Sequence, residues 1–357
     1  MKSGVRVLVV DDSALMRKLI PQILERDSSI QVVGTAMDGE FALKKIEELR
    51  PDVVTLDLEM PRMDGMETLR QIMRRFQIPV IVVSAHTTTG ATATFKALNL
   101  GAFDFVAKPK DALSANMDEV ARDLISKIKA AGMTRLPASR QGLPVRFERV
   151  HKKSMQRPLA QKIIAIGIST GGPNTLQYLL SQLPADFPAA IVIVQHMPEG
   201  FTELFARRLD ECCTIDVKEA ESGDLLLAGR ALVCPGNRHI KVRRMPQANI
   251  AVLTDEPRVN GHRPSADVLF HSAVEFGPDA IGLIMTGMGD DGAEGLGAMR
   301  RAGALTIAQN EASSVVFGMP KVAIDRGYAA RVVPLDALAN TLQSSCAAER
   351  QRMAAKF

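Results

Sequence analysis

The sequence lacks any apolar run long enough to cross a bilayer. Its longest apolar stretches, such as Val5 to Val10 and Ala189 to Val194, have the length of β-strands, far below the roughly 20 residues that a transmembrane helix needs. Asp11 and Asp12 follow the first stretch directly and leave no room for the apolar core of a secretory signal. We therefore expect a cytoplasmic protein without membrane insertion.

Cysteine is also scarce. The four cysteines, Cys212, Cys213, Cys234 and Cys346, have no metal-ligand spacing, and the two that are sequence neighbours cannot easily bridge each other. They are expected to be reduced thiols. The balance of 46% apolar and 24% charged residues excludes wholesale disorder, and 357 residues fit two domains of ordinary size.

The net charge of +4 is small, but basic residues cluster in the middle of the chain. They are Arg135, Arg140, Arg146, Arg149, Lys152, Lys153, Arg157 and Lys162. Prolines are interspersed without helical or strand periodicity, which is typical of an exposed linker. We place domains at 1–131 and 159–350, joined by a basic linker at 132–158. Its charge fits a role in solubility, an acidic partner or nucleic acid.

Short β-branched runs alternate with amphipathic helical runs through the first domain. The strand candidates are Val5 to Val10, Ile30 to Ala36, Val53 to Leu56, Val80 to Val83 and Phe103 to Ala107. This alternation predicts an α/β fold with a parallel sheet and helices on both faces. Functional groups of such folds collect at the carboxyl ends of the strands.

Three acids stand at those ends: Asp11 and Asp12 after the first strand, and Asp57 after the third. Clustered carboxylates need a cation, and an all-oxygen site suits Mg²⁺. Lys108 and Ser84 end two further strands and can complete a cradle for a phosphoryl group on Asp57. Taken singly, Asp12 can be a helix cap and Lys108 a surface charge; the combination favours the phosphoryl site.

The first domain resembles the response-regulator receiver family, a flavodoxin-like (βα)5 fold. The matching residues are Asp11-Asp12, Asp57, Met60-Pro61, Asp64-Gly65, Ser84-Ala85 and Lys108-Pro109. The resemblance implies Asp57 as phosphoacceptor and a histidine kinase as phosphoryl donor. It implies a Mg²⁺ site formed by Asp12, Asp57 and the carbonyl of Glu59, with Asp11 acting through water. Ser84, Phe105 and Lys108 correspond to switch residues.

The second domain has its own alternating pattern. The strand candidates are Ile163 to Ile168, Ala190 to Gln195, Ala280 to Met285 and Leu305 to Gln309. Residues 215–253 are rich in strands and poor in helices, which predicts antiparallel hairpins added to an α/β parallel-sheet hydrolase domain. Ser169, His196 and the pair Asp290-Asp291 follow three of the strands, so the sheet should bring them to one edge.

A serine needs a base to become a nucleophile, and a carboxylate must orient that base. Ser169, His196 and Asp291 can fill these roles, although spacing does not choose between Asp290 and Asp291. Backbone N–H groups near Met288, or after Ser169, can form an oxyanion hole. Alternatively, Ser169 binds phosphate or caps a helix, His196 is a core histidine and Asp291 caps a helix. His239, His262 and His271 are expected to be structural or groove residues, and His86 and His151 exposed.

The whole chain resembles the CheB family of chemotaxis protein-glutamate methylesterases. The matching segments are Ser169-Thr170-Gly171-Gly172-Pro173, Gln195-His196-Met197-Pro198, Arg263-Pro264-Ser265-Ala266-Asp267 and Thr286-Gly287-Met288-Gly289-Asp290-Asp291-Gly292. The resemblance implies Ser169 as nucleophile, His196 as base, Asp291 as orienting acid and Met288 as oxyanion donor, without a cofactor for the hydrolase.

The family further implies hydrolysis of glutamate γ-methyl esters on methyl-accepting chemoreceptors, deamidation of their glutamines, and phosphorylation by the chemotaxis kinase CheA. Two alternatives are a receiver-controlled DNA-binding regulator and a non-catalytic phosphate sink. The first requires a compact basic recognition helix, whereas the chain after Lys162 has glycine-rich strand ends. We expect no nucleic-acid partner.

Overall fold

The computed structural model describes residues 4–85, 87–108, 117–133 and 157–354. The chain divides into two units, residues 1–145 and 146–357. Residues 134–156, most of the predicted linker, lie outside the described residues, as do His86 and His151. None of the described helices is long and apolar enough to span a membrane.

The first unit alternates strands and helices as predicted. Its strands are β1 (Val5–Val10), β2 (Ile30–Ala36), β3 (Val53–Asp57), β4 (Val80–Ser84) and β5 (Asp104–Ala107). Its helices are α1 (Ala14–Leu24), α2 (Gly39–Leu49), α3 (Gly65–Arg75), α4 (Thr88–Asn99) and α5 (Met117–Met133). The five strands form a parallel sheet in the order β2-β1-β3-β4-β5. This confirms the predicted receiver fold.

Local sequence explains where the first helices begin. Ser13, Asp38, Asp64 and Thr87 have extended backbones, and each side chain accepts the N–H of the third residue along. These short polar side chains satisfy main-chain donors that have no partner inside the helix. Each of these helices therefore begins at the residue after its capping side chain, and Ser13 rather than Asp12 caps α1.

The second unit contains nine strands and six α-helices within the described residues. Its strands are β6 (Lys162–Ile168), β7 (Ala189–Gln195), β8 (Asp216–Glu219), β9 (Arg230–Val233), β10 (His239–Arg243), β11 (Ile250–Thr254), β12 (Ala280–Ile284), β13 (Leu305–Gln309) and β14 (Arg331–Val333). Its helices are α6 (Gly172–Ser181), α7 (Thr202–Cys212), α8 (Ala266–Ala273), α9 (Ala293–Arg301), α10 (Met319–Asp325) and α11 (Leu335–Ala354).

Seven strands form a parallel sheet in the order β14-β13-β12-β6-β7-β9-β8. The predicted antiparallel addition is confirmed for β10 and β11, which form a separate hairpin. The prediction was wrong for β8 and β9, because both strands extend the main sheet in parallel. Strands of only four residues carry a weak periodic pattern, so the pairing of β9 with β7 and of β8 with β9 decides their direction.

The chain is anchored to the second unit from Arg157 onward. This arginine was counted with the exposed linker, but its side chain is 7% exposed. It donates hydrogen bonds to Asp216 Oδ1 at 3.0 Å and to the Ala185 carbonyl at 2.8 Å. Arg157, the first described residue of the predicted linker, therefore forms an ion pair with Asp216 of the second unit.

Helix α8 packs closely against β6 and α9 because glycines leave room for Phe270. A methyl group added at Gly167, Gly292 or Gly295 would lie 2.7–3.2 Å from atoms of this side chain. Phe270 is completely buried, so its ring fills the space that the three glycines open. The same contact places the first turn of α8 beside the segment that precedes α9.

We expect Phe270→Ala to lower the free energy of unfolding of the second unit by about 3–5 kcal/mol, because a large aromatic side chain leaves a cavity. Native-state hydrogen exchange of β6 and β12 amides measures this value for the unit alone. Leu225→Ala, at an exposed leucine, should change it by less than about 0.5 kcal/mol. Equal effects of the two substitutions would contradict this account of the packing.

Candidate functional site

Ser169 occupies a tight turn between β6 and α6. Its N–H donates to the Thr286 carbonyl at 2.9 Å, and its own carbonyl accepts the Gly172 N–H at 2.8 Å. Gly171 has φ +72°, where any other residue would be strained, and Pro173 stands in the first turn of α6. The small residues around Ser169 therefore allow a tight turn between the strand and the helix.

His196 follows the neighbouring strand β7. The main-chain N–H of His196 donates to the Ile168 carbonyl at 3.1 Å, so this residue is hydrogen-bonded to the end of β6. Its Nε2 lies 2.8 Å from Asp291 Oδ2, whereas its Nδ1 is buried and has no hydrogen-bond partner among the described residues. The structure therefore joins His196 to Asp291 but does not form a hydrogen bond from the Ser169 hydroxyl to His196.

Asp291 is a buried carboxylate surrounded by donors. Its oxygens accept the Ser265 hydroxyl and the Ala266 N–H, both at 2.6 Å, and the Asn260 Nδ2 at 3.2 Å. Burial raises the pKa of the Asp291 carboxyl, but hydrogen bonds from His196, Ser265 and Ala266 outweigh it and hold the pKa well below its ordinary value. The negative charge beside His196 is therefore stable.

The structure separates the two adjacent aspartates that spacing left undecided. The side chain of Asp290 is 59% exposed, with its closest cation, Arg326, at 3.9 Å. Asp291 is 1% exposed and contacts the first turn of α8. Gly289 and Gly292, with φ near +90°, flank the pair and shape the turn. In the alternative interpretation Asp291 caps a helix; its contacts are with the start of α8 rather than with the following helix α9, whose N-cap is Gly292.

The turn after β12 lies directly against Ser169. A methyl group added at Gly287 would stand 2.8 Å from Ser169 Cβ, so only glycine fits there. The Gly287 carbonyl accepts the N–H groups of Gly318 and Met319 at 3.0 and 2.9 Å. Within the described residues, no acceptor takes the N–H of Met288, the predicted oxyanion donor.

Two histidines that the sequence assigned to structural or groove positions make contacts near this site that the sequence did not predict. The ring of His262 stacks on that of His196, with centroids 3.9 Å apart. His239 is buried, accepts the Ser265 N–H at Nδ1 and donates to the Pro257 carbonyl at 3.1 Å; it is structural, as expected. Burial lowers the pKa of the His239 imidazole, which suits its accepting role. The segment from Arg263 to Asp267 matched the family in the sequence analysis. The contacts that its residues make with Asp291 and His239 could not be predicted from the sequence.

A second cluster lies at the carboxyl edge of the first unit's sheet. Asp11, Asp12 and Asp57 each place a carboxylate oxygen within 4.8 Å of the others. Lys108 Nζ lies 2.6 Å from Asp57 Oδ2 and 3.1 Å from Asp11 Oδ2. Glu59 donates its N–H to Asp57 Oδ1 at 3.2 Å. The strand ends thus bring together the acids and the lysine that the sequence singled out.

The two other predicted switch residues are buried nearby. Ser84 donates its hydroxyl to the Gly90 carbonyl at 3.1 Å, at the start of α4. The Phe105 ring packs edge-on against Phe95 of α4, and the Phe105 carbonyl accepts the Lys127 ammonium at 2.7 Å. Both residues therefore contact α4, the helix that follows β4.

The donor set of this cluster fits a hard divalent cation. Three carboxylates at such distances repel one another, and one lysine does not balance their charge. Asp11 is fully buried, and Lys108, which contacts its Oδ2 at 3.1 Å, is shared with Asp57. All-oxygen ligands of this kind suit Mg²⁺.

Comparison with known proteins agrees with this description. Residues 164–342 match the CheB methylesterase family and residues 7–117 the response regulator receiver domain. The protein-glutamate methylesterase/protein-glutamine glutaminase 2 of Koribacter versatilis is 65% identical over 353 residues, covering 97% of each chain. The Halalkalibacterium halodurans protein-glutamate methylesterase/protein-glutamine glutaminase is 46% identical, covering 97% of this chain and 99% of its own. The Thermotoga maritima CheB methylesterase catalytic domain superposes with a TM-score of 0.50 and 39% identity, covering 51% of this chain and 97% of its own.

The depressed pKa of Asp291 predicts how stability depends on pH. As pH falls below about 5, the unfolded carboxyl takes up a proton near its ordinary pKa while folded Asp291 stays ionised. The unfolded state then binds more protons, so Asp291 contributes stability above this range and loses it toward lower pH. We expect Asp291→Asn to flatten the decline in unfolding free energy between pH 6 and pH 3.

Urea unfolding at a series of pH values measures this slope. Asp290→Asn is the matched control, since its exposed side chain leaves Asp291 and its donors intact. This variant should keep the wild-type slope. Parallel curves for wild type and Asp291→Asn would show that the buried carboxylate does not have the depressed pKa described here.

Proposed function

The chain belongs to the CheB family of protein-glutamate methylesterases and protein-glutamine glutaminases, and we propose that it hydrolyses glutamate γ-methyl esters on chemoreceptors under phosphorylation control. Deamidation of receptor glutamines would follow the same route, with ammonia as leaving group. The observation that carries the proposal is the 2.8 Å contact between His196 Nε2 and buried Asp291, one strand away from the Ser169 turn. The reaction would serve adaptation in chemotaxis.

The contact supports an assignment of the His196 nitrogen that would act as base. An ionised carboxylate only accepts hydrogen bonds, so Nε2 carries the proton that faces Asp291. The lone pair is then on Nδ1, which has no partner among the described residues. We assign Nδ1 as the atom that takes the Ser169 proton; catalytic hydrogen bonds often form only when substrate binds.

The proposed reaction has two steps. The Ser169 oxygen bonds to the ester carbonyl carbon, the Ser169 proton passes to His196, and methanol leaves with that proton as the carbon–methoxy bond breaks. Water then attacks the acyl-enzyme and gives a proton to His196, which passes it to the Ser169 oxygen as the acyl–oxygen bond breaks. The released glutamic acid side chain then loses its proton to solvent. Asp291 stabilises the imidazolium formed in each step, and the Met288 N–H stabilises the negative oxygen.

We expect Ser169→Ala and His196→Ala each to lower kcat for methanol release from methylated receptor by at least about 10⁴-fold. Ser169→Ala should stay folded, because the turn is held by the main chain of Ser169. Asp291→Asn should lower kcat by about 10²–10⁴-fold, since the amide cannot hold His196 in the required tautomer.

The matched control is again Asp290→Asn, which should release methanol at nearly the wild-type rate. If it were the more damaging of the two substitutions, the orienting role would belong to Asp290. Near-normal turnover by Ser169→Ala would remove Ser169 from the mechanism.

For the first unit we propose phosphorylation of Asp57 by a histidine kinase, the chemotaxis kinase CheA. Asp12, Asp57 and the Glu59 carbonyl would hold Mg²⁺, with Asp11 acting through water. When bound, Mg²⁺ would offset the charge of the phosphoryl oxygens. Lys108, 2.6 Å from Asp57 Oδ2, offers a second positive charge at the carboxylate.

The switch residues link this site to α4. When phosphorylation adds about two negative charges at Asp57, Lys108 and the Ser84 hydroxyl are drawn toward the phosphoryl oxygens. Ser84 must then leave the Gly90 carbonyl, while Thr94 still donates to that carbonyl at 2.8 Å. The Gly90 carbonyl then keeps one of the two hydrogen bonds that it accepts from side chains. Phe105, which packs on the same helix, can reposition.

We expect Asp57→Asn to abolish Mg²⁺-dependent incorporation of phosphate from a small phosphodonor without unfolding the first unit. Intact-mass spectrometry measures the label, and circular dichroism checks the fold. Asp64→Asn is the control and should still be labelled, because Asp64 caps α3 and is not one of the three clustered acids. Undiminished label on another aspartate would overturn the assignment of Asp57.

The described fold argues against the two alternatives. A DNA-binding output needs a compact domain with a basic recognition helix, whereas the second unit is built on a seven-stranded parallel sheet. A phosphate sink would not need a buried carboxylate held against His196. We propose methyl-accepting chemoreceptors as substrates and the cytoplasm as the site of action.

A further inference from the structure

One buried side chain contacts the main chain of both proposed reacting residues. Gln195, the last residue of β7, donates its Nε2 to the Ser169 carbonyl at 3.0 Å and to the His196 carbonyl at 3.2 Å. It is 2% exposed. The orientation of the amide follows from chemistry, because both partners are carbonyls and only the nitrogen can donate to them.

The main chain beside Gln195 leaves space for this amide. Its Oε1 is buried without a hydrogen-bond partner among the described residues, an arrangement that native proteins rarely keep. A methyl group added at Gly172 would lie 2.0 Å from that oxygen. The space for the amide therefore exists only because α6 begins with glycine.

The Ser169 carbonyl determines where the next N–H points. A trans peptide is planar, and its C=O and N–H point in opposite directions. The Ser169 carbonyl is held by Gln195 and by the Gly172 N–H at 2.8 Å, so the Thr170 N–H points away from them. Within the described chain, this N–H donates to no acceptor.

The Gly287–Met288 peptide is held in the same way. Its carbonyl accepts two N–H groups at the start of α10, so the Met288 N–H points to the other side. Gly287 lies against Ser169. The N–H groups of Thr170 and Met288 thus belong to two peptides beside one serine, each held by its carbonyl and each with an unused donor in the described structure.

We propose that Gln195 is a positioning residue that fixes the Ser169–Thr170 peptide, so that the Thr170 N–H serves with Met288 as a second oxyanion donor. This inference rests on the proposed role of Ser169 as nucleophile. Two convergent N–H groups are the usual means of stabilising a tetrahedral oxyanion. Gln195 touches no substrate; it acts through the peptide and through the His196 carbonyl.

The first test compares two buried glutamines in the full-length, phosphorylated protein. Gln195→Met removes both hydrogen bonds while keeping side-chain length, and should lower kcat for methanol release by about 10²-fold with KM unchanged. Gln177→Met is the control: Gln177 is equally buried but its amide oxygen faces Arg208, so kcat should not change. A raised KM with normal kcat, or equal losses in the two variants, would overturn the proposal.

A second pair of measurements separates positioning from other roles. Gln195→Glu keeps the shape but removes the donor, and should be at least as slow as Gln195→Met. The pH profile of kcat should keep its wild-type shape in Gln195→Met, since only peptide orientation changes. A displaced profile would mean that Gln195 acts through the charge of His196, and a fully active Gln195→Glu would exclude a donor role.

A measurement on the wild-type protein decides the matter even if the variants fail to fold. A fluorophosphonate should label Ser169, with loss of fluoride, and place a phosphoryl oxygen where the oxyanion forms. The amide protons of both Thr170 and Met288 should then shift downfield in NMR spectra. Labelled Ser169 with an unmoved Thr170 amide would overturn the role of Gln195 alone. Absence of labelling, with Ser169→Ala as reference, would overturn the proposed function and this inference together.

Discussion

The parallel register of β6 with its two neighbours is the constraint on which the rest of the second unit depends. Ile168 at the end of β6 pairs with Gln195 at the end of β7, and Gly167 pairs with Ile284 at the end of β12. Three loops therefore leave the sheet at one level. Main-chain hydrogen bonds from Ser169 to Thr286 and from His196 to Ile168 extend the parallel pairing by one residue beyond the strands.

The buried charge of Asp291 is the second constraint, and it is satisfied from outside the strands. Removing a carboxylate from water is unfavourable unless hydrogen bonds compensate. Those bonds come from the first turn of α8, from Ser265 and from Asn260. Helix α8 can reach this position because Phe270 packs over Gly292 and Gly295, so core packing and the charge beside His196 are coupled.

The two units stabilise their buried carboxylates in different ways. In the first unit, Asp11, Asp12 and Asp57 lie together at a sheet edge with Lys108, and their chemistry suits a metal ion. In the second unit, one carboxylate is stabilised by main-chain and side-chain donors and needs no cation other than the imidazolium that would form on His196. The first arrangement suits an added phosphoryl group, and the second suits a proton transfer.

The sequence by itself determined the alternating fold of both units and the strand ends on which Asp57, Lys108, Ser169 and His196 stand. It did so because periodicity and strand-end position are local properties of the chain. Tertiary structure alone decided the parallel direction of β8 and β9, the burial of Asp291 against His196 while Asp290 stays exposed, and the contacts of Asn260, Ser265, His262 and Gln195. These depend on hydrogen bonds and packing between residues far apart in sequence, for which no local pattern exists.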